Sequence, residues 1–251
     1  MNQKEILVRS TMDQTLQPSL FYQSESPEKR PLIVGLHTWS HNRFNQIGNI
    51  LPYAEKLDFH LLLPEFRGPN LPSNPHCTQA CASEYALQDI RDAIAHVVSL
   101  GIADEENIFL LGHSGGGHTA LMTAAKWPAL FKAVGAYVPI TDLAAWAETS
   151  SYYCPHILAC CSGSQEEMAR RSPIHYLDAI SKANLKLFHG KFDPVVPVSH
   201  SINFFSRMIA GYPSARVFLD IFDGGHEIDM EQAMYWLLSQ YRKPSMTQIT
   251  G

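Results

Sequence analysis

The sequence predicts an α/β fold: a mostly parallel central sheet of about eight strands, flanked by helices and carrying a short helical insert. Three observations lead there. Short apolar runs of strand length alternate with amphipathic runs of helix length, the pattern of βαβ units. Apolar residues make up 45% of the 251 positions and charged residues 17%, enough to build a sizeable core. One strand-like run also passes through a glycine-rich turn directly into a helix-forming run, at residues 108–126.

In chain order, residues 6–10 and 20–23 are expected to form a leading antiparallel pair. Residues 32–36, 61–63, 108–111, 133–138, 185–189 and 216–221 read as buried strands, each short and apolar, as expected when helices cover both faces. A helix over 84–100 places Leu87, Ile90, Ile94, Val97 and Val98 on one side, and Gly101 closes it. A second runs over 119–126 and ends at Pro128. A third, 199–210, carries Ile202, Phe205 and Ile209 as its apolar stripe. The last, 229–241, stops before Pro244. Residues 67–83, rich in Pro, Asn and Cys, form a loop. Residues 140–183 are too long for a structureless connection in a compact domain. They are expected to form a lid-like helical insert over the site, inside a single domain spanning 1–251.

Composition narrows the function. Net charge is −5 and the pI about 6.2, with no Lys/Arg-rich run, so no nucleic-acid partner is expected. No apolar run reaches the ~18 residues of a membrane span. Residues 1–17 lack the basic start and apolar stretch of a secretory signal, so a cytoplasmic protein with no membrane partner is expected. The five cysteines read as reduced thiols, with a Cys77–Cys81 bridge as the alternative. Cys154, His156, Cys160 and Cys161 match no paired-ligand spacing, so no metal is expected, nor any other cofactor. Nothing in the sequence sets an oligomeric state.

The chemistry is carried by Gly112-His113-Ser114-Gly115-Gly116, a Gly-x-Ser-x-Gly motif between strand and helix. That context makes Ser114 a nucleophile on a very tight turn, its Oγ projecting from the sheet edge, with Gly112 and Gly115 leaving room. The Gly115 N–H would face a developing oxyanion, and the following helix N-terminus adds a favourable field. A serine hydroxyl needs a base, and partners on such a scaffold follow in the order Ser, Asp, His. Asp193 lies just past the strand 185–189, in a turn set by Gly190 and Pro194. His226 follows the strand 216–221 and the small residues Gly224 and Gly225, which suit a loop bending back over the serine. Asp142 and Asp223 are rival acids. His37, His113, His118 and His189 are the nearest rival bases, read as histidines bonded within the fold. The second oxyanion donor falls in the loop after 32–36, at the backbone of Thr38 or Trp39. His37, Arg67, His113 and Trp146 are candidate substrate contacts, and Trp39, Trp146, Tyr152 and Tyr153 candidate walls of an aromatic pocket.

These residues resemble the α/β-hydrolase superfamily, and within it the catalytic domain of prolyl-oligopeptidase-like hydrolases and the related acyl esterases. Pro64-Glu65-Phe66-Arg67-Gly68 is similar to the family's Arg-Gly turn. Asp89, Ala93 and Asp104 fit the approach to the nucleophile strand, and His189-Gly190-x-x-Asp193-x-x-Val196-Pro197 and Gly224-Gly225-His226 complete the likeness over about residues 20–241. It implies a serine hydrolase working through an acyl-enzyme on Ser114. The peptidases of that family usually carry an N-terminal propeller, whereas about thirty residues precede the first oxyanion-loop strand here. The expected substrate is therefore a small-molecule ester, of the acyl or carbohydrate type. A short peptide is the alternative, and a non-catalytic ligand- or partner-binding protein is the reading of another class.

Overall fold

A computed structural model describes residues 1–241. The strands are β1 (Asn2–Arg9), β2 (Leu16–Gln23), β3 (Arg30–Leu36), β4 (His60–Pro64), β5 (Ala103–His113), β6 (Ala133–Tyr137), β7 (Leu185–Gly190) and β8 (Val217–Phe222). They form one sheet in the order β1-β2-β4-β3-β5-β6-β7-β8. β1 and β2 pair antiparallel, β2 meets β4 antiparallel, and every pairing from β4 to β8 is parallel. The architecture is thus the predicted one.

Helices cover both faces. α2 (Glu84–Ser99), α3 (Gly115–Lys126) and α8 (Ser199–Gly211) lie on one side, and α1 (Ile47–Leu57) and α9 (Met230–Ser239) on the other. Alternation along each strand feeds both layers. Leu32, Val34 and Leu36 of β3 join the first core and Ile33 the second, while Ile108 and Leu110 of β5 oppose Phe109 and Leu111. α2 starts where the Ser83 hydroxyl accepts the Ala86 N–H, and Leu87, Ile90, Ile94 and Val97 are buried as the periodicity required.

Residues 140–183 hold α4 (Leu143–Thr149), α5 (Cys154–Cys160), α6 (Gln165–Arg170) and α7 (Leu177–Ile180). They bury a third apolar cluster built on Trp146, Ile157, Cys160 and Met168, which reaches Trp39 and Val196.

Three elements depart from the reading of the sequence. α1 was not foreseen, because Pro52 stands inside it, where a missing N–H argues against a helix. Burial of Ile50 and Ala54 under the sheet overrides that penalty. On α8 the buried face is His200, Ser201, Phe204 and Met208, while Ile202 and Ile209 are exposed. The hydrophobic stripe was misplaced because the Ser201 and His200 side chains go inside, Ser201 Oγ to His189 Nδ1 and His200 Nδ1 to accept the Thr141 N–H. β8 is the sheet's edge, paired only with β7, so Phe218 and Ile221 are 47% and 44% exposed rather than buried. Pro244, the foreseen stop of the last helix, lies outside the described residues.

Candidate active site

The parallel strands end level. Leu36 of β3 pairs Gly112, Gly112 pairs Ala136, and His113 pairs Tyr137, so the segments that follow emerge together at one edge. In such sheets that edge is where ligands bind. Ser114 occupies the single residue between β5 and α3 at φ 57°, ψ −119°. A non-glycine residue there is strained by about 1–3 kcal/mol. The surroundings hold it: the Ser114 N–H donates to Tyr137 O at 2.8 Å. A Cβ on Gly112 would lie 2.1 Å from Gly116 O, and one on Gly115 would lie 2.6 Å from Trp39 Cα. Only glycine lets the turn close and the loop after β3 come against it.

Ser114 Oγ lies 2.9 Å from His226 Nε2, and His226 Nδ1 lies 2.8 Å from Asp193 Oδ2. The hydrogen therefore sits on Nδ1, facing the carboxylate, and Nε2 is free to accept from the hydroxyl. Asp193 Oδ1 accepts the N–H groups of Val195 and Val196 at 2.8 and 2.9 Å. Burial by itself would raise the Asp193 pKa. Hydrogen bonds from His189, His226 and the Val196 N–H outweigh it and hold the carboxyl well below its usual range. The rival acids are elsewhere: Asp142 caps α4 by accepting the Ala145 N–H, and Asp223 is exposed, without a hydrogen bond to His226 among the described residues.

Beside the serine, the Thr38 N–H is engaged by Asn45 Oδ1 at 3.1 Å. The Trp39 N–H has no hydrogen bond among the described residues, and its nitrogen lies 2.7 Å from where a Gly115 Cβ would stand. Of the two amides the sequence left open, Trp39 is the one free to pair with Gly115 as an anion donor. A cavity of about 190 Å³ opens here, lined by Thr38, Trp39, Ser40, His41, His113, Ser114, Tyr153 and His226. No Asp, Glu, Lys or Arg is among them. A larger cavity of about 330 Å³, between α4 and α8, touches none of the three residues Ser114, His226 and Asp193.

The four foreseen substrate contacts separate. His113 lines the cavity, its ring centroid 5.3 Å from that of His226, and burial first of all pushes its pKa down to about 4. The other three do not reach it. His37 is buried, stacked on Phe66, with its ring nitrogens against Thr38 O and Glu65 O. Arg67 is buried in ion pairs with Asp13 and Asp89 and a hydrogen bond to Gln79. Trp146 is fully buried, and its Nε1–H donates to Val195 O at 3.0 Å, so it braces the acid-bearing turn. His37 and Arg67 looked available because loops at strand ends are polar in sequence whether or not their polar groups are paired, and Trp146 because an aromatic side chain in an insert reads the same whether it lines a pocket or packs a core. Conversely, Ser40 and His41 line the cavity and were not singled out. Their position four and five residues past Leu36 was the available signal. Tyr152 is 68% exposed, whereas Tyr153 reaches the cavity and stacks on Trp146.

All five cysteines are free thiols, so Cys77 and Cys81 are not bridged. No group of three or more His, Cys, Asp or Glu placed to hold a metal ion occurs among the described residues. No helix among them is long and apolar enough to cross a membrane.

Comparison with known proteins adds the following. The prolyl oligopeptidase family matches residues 76–241. The acylamino-acid-releasing enzyme of Arabidopsis thaliana is 27% identical over 183 residues, covering 68% of this chain and 21% of that protein. An acylaminoacyl peptidase of Pyrococcus horikoshii superposes with a TM-score of 0.79 at 19% identity, over 97% of this chain and 42% of the other. S-formylglutathione hydrolase (FrmB) of Staphylococcus aureus superposes at 0.70 and 14% identity, over 94% of this chain and 98% of that one. The chain thus spans about a fifth of the length of the curated relative and under half of the archaeal peptidase, and nearly all of the third protein.

Proposed function

Because the chain belongs to the prolyl oligopeptidase family of serine hydrolases, we propose that it hydrolyses the amide bond that follows an N-acylated amino acid in a short peptide. The observation that carries this reading is the cavity beside Ser114, whose lining offers no carboxylate. A free α-ammonium would enter that cavity without a counter-charge, at a desolvation cost, whereas an acylated nitrogen is neutral. The names of the curated relative and of the archaeal peptidase point the same way. They favour an amide over the carbohydrate ester expected from the sequence.

In this reading Ser114 Oγ attacks the carbonyl carbon as His226 Nε2 takes its proton. Asp193 stays ionised and stabilises the imidazolium. The Gly115 and Trp39 N–H groups hold the tetrahedral oxyanion, each donor contributing roughly 3–4 kcal/mol at the transition state. His226 then passes the proton to the leaving nitrogen, the C–N bond breaks, and the acyl group remains on Ser114. Water attacks that ester, His226 takes a proton from it, and Ser114 Oγ recovers one as the acid leaves. Residues 140–183 act as the lid of this site, with Tyr153 as the side chain they contribute, and residues 1–241 work as one unit on a small-molecule substrate.

Ester cleavage is the second reading. The small volume of the cavity and the near full-length likeness to S-formylglutathione hydrolase favour it. Rates on acetyl-alanine p-nitroanilide, alanine p-nitroanilide and p-nitrophenyl acetate separate the two. The acetylated anilide should be cleaved at least about tenfold faster than the free one, since an unpaired buried charge costs more than 1.4 kcal/mol. Ser114→Ala should lower kcat by about 10⁶. Faster cleavage of the free amine would sink the acyl reading. Turnover of the ester alone would establish the second.

A further inference from the structure

His189 is the next-to-last residue of β7, four residues before Asp193, and is completely buried. Its Nε2 lies 2.9 Å from Val196 O and 3.5 Å from Asp193 Oδ2. Both are acceptors, so Nε2 carries the hydrogen. Its Nδ1 lies 2.7 Å from Ser201 Oγ on α8, whose hydroxyl supplies the hydrogen for that contact. Ser201 is itself completely buried. One tautomer satisfies every partner; the other would aim a lone pair at Val196 O and the carboxylate.

The turn that carries the acid is tied by four hydrogen bonds. Asp193 Oδ1 takes the Val195 and Val196 N–H groups, Val195 O takes Trp146 Nε1–H, and Val196 O takes His189 Nε2–H. Oδ2 is left between two rings, His226 on the cavity side and His189 on the interior side. Oδ1 is anchored by the two backbone N–H groups, and His189 is the ring that faces Oδ2 from the interior side.

We propose that His189, held in one tautomer by Ser201, is a positioning residue that aims the Asp193 carboxylate at His226. The chain of contacts then runs from α8 through His189, the 3.5 Å approach of its Nε2 to Asp193 Oδ2, and His226 to Ser114. This rests on the reading of Ser114 as the nucleophile of a hydrolase. It explains why α8 turns a serine inward where the sequence offers Ile202 and Ile209 for burial.

The test uses Ser201→Ala, His189→Leu and His189→Gln, with melting curves to confirm that each is folded. Two readouts serve: steady-state kinetics on p-nitrophenyl acetate and on the acetylated anilide, and the downfield proton resonance of the His226 Nδ1–H. His189→Leu should lower kcat by roughly 10²-fold with KM unchanged within about twofold, since misplacement of a catalytic group costs on that order. Ser201→Ala should lower kcat about tenfold, and His189→Gln, which keeps an N–H donor, should recover part of the Leu loss. The resonance should shift or broaden in Ser201→Ala and His189→Leu. Wild-type kcat and an unchanged resonance in Ser201→Ala and folded His189→Leu would overturn the proposal, as would losses confined to KM or melting temperature. The resonance needs no substrate. If it responds while the wild type cleaves no acyl peptide, the substrate reading falls and the role of His189 stands.

Discussion

At the scale of single residues, the chemistry depends on one proton's address. The hydrogen on His226 Nδ1 is held by a carboxylate 2.8 Å away, leaving Nε2 bare toward Ser114. Asp193→Asn keeps the shape and reverses the logic: an amide N–H facing Nδ1 favours the tautomer with the hydrogen on Nε2, where it cannot accept from the hydroxyl. The expected loss in kcat is about 10⁴-fold. An Asn variant keeping more than a tenth of wild-type turnover would move the acid elsewhere. That Ser114, Asp193 and His226 would be brought together was readable, because each follows a strand end in the chain order such a scaffold requires. The engagement of His37, Arg67 and Trp146 was not, because a one-dimensional sequence does not reveal that Arg67 meets Asp13 and Asp89, or that Trp146 meets Val195.

At the scale of elements, the nucleophile turn is a contact between two loops as much as a turn within one. Gly115 is packed on the backbone of Trp39, 2.6 Å from its Cα to the place where a Cβ would stand. Gly115→Ala must therefore push the loop after β3 away from Ser114 or displace the turn itself. If Trp39 and Gly115 supply the paired N–H groups, as proposed, kcat on p-nitrophenyl acetate should fall roughly 10²-fold, with a smaller change in KM. Wild-type kinetics in a folded Gly115→Ala protein would remove Trp39 from the oxyanion site. The elements misread from sequence share one cause. Pro52 inside α1 and the inward Ser201 on α8 are set by what they pack against, and the exposed Phe218 on β8 by its place at the sheet edge; in all three, tertiary surroundings override local propensity.

At the scale of the whole molecule, the fold buries several histidines that carry no charge there. Burial is the largest influence on His113, His118 and His200 and pushes each down to about 4. Unfolding would return them to the ordinary imidazole value of 6.5. Between those values the unfolded chain binds more protons than the folded one, so stability rises with pH across that window. It is fully present above 6.5 and is lost progressively as pH falls toward 4. The depressed Asp193 carboxyl adds a further loss at still lower pH. Urea midpoints at pH 7.5, 5.5 and 4.5 should fall in that order, and a flat series would show that these rings are hydrated in solution.

The alternation of apolar runs and amphipathic helices determined a parallel sheet covered on both faces, because strands buried on two sides must be apolar throughout while helices bury only one stripe. Gly112, Ser114 and Gly115 determined a strained turn, since that backbone path excludes a Cβ beside it. What only the tertiary structure decided is which groups meet across the layers. Trp39 rather than Thr38 is the free amide at Gly115 because Asn45 takes the Thr38 N–H. Tyr153 reaches the cavity because Trp146 stacks beneath it. His189 and Ser201 lie behind Asp193 because α8 packs on the end of β7. Each of these is set by how a loop or helix closes on its neighbour, and only folding orients such partners toward one another.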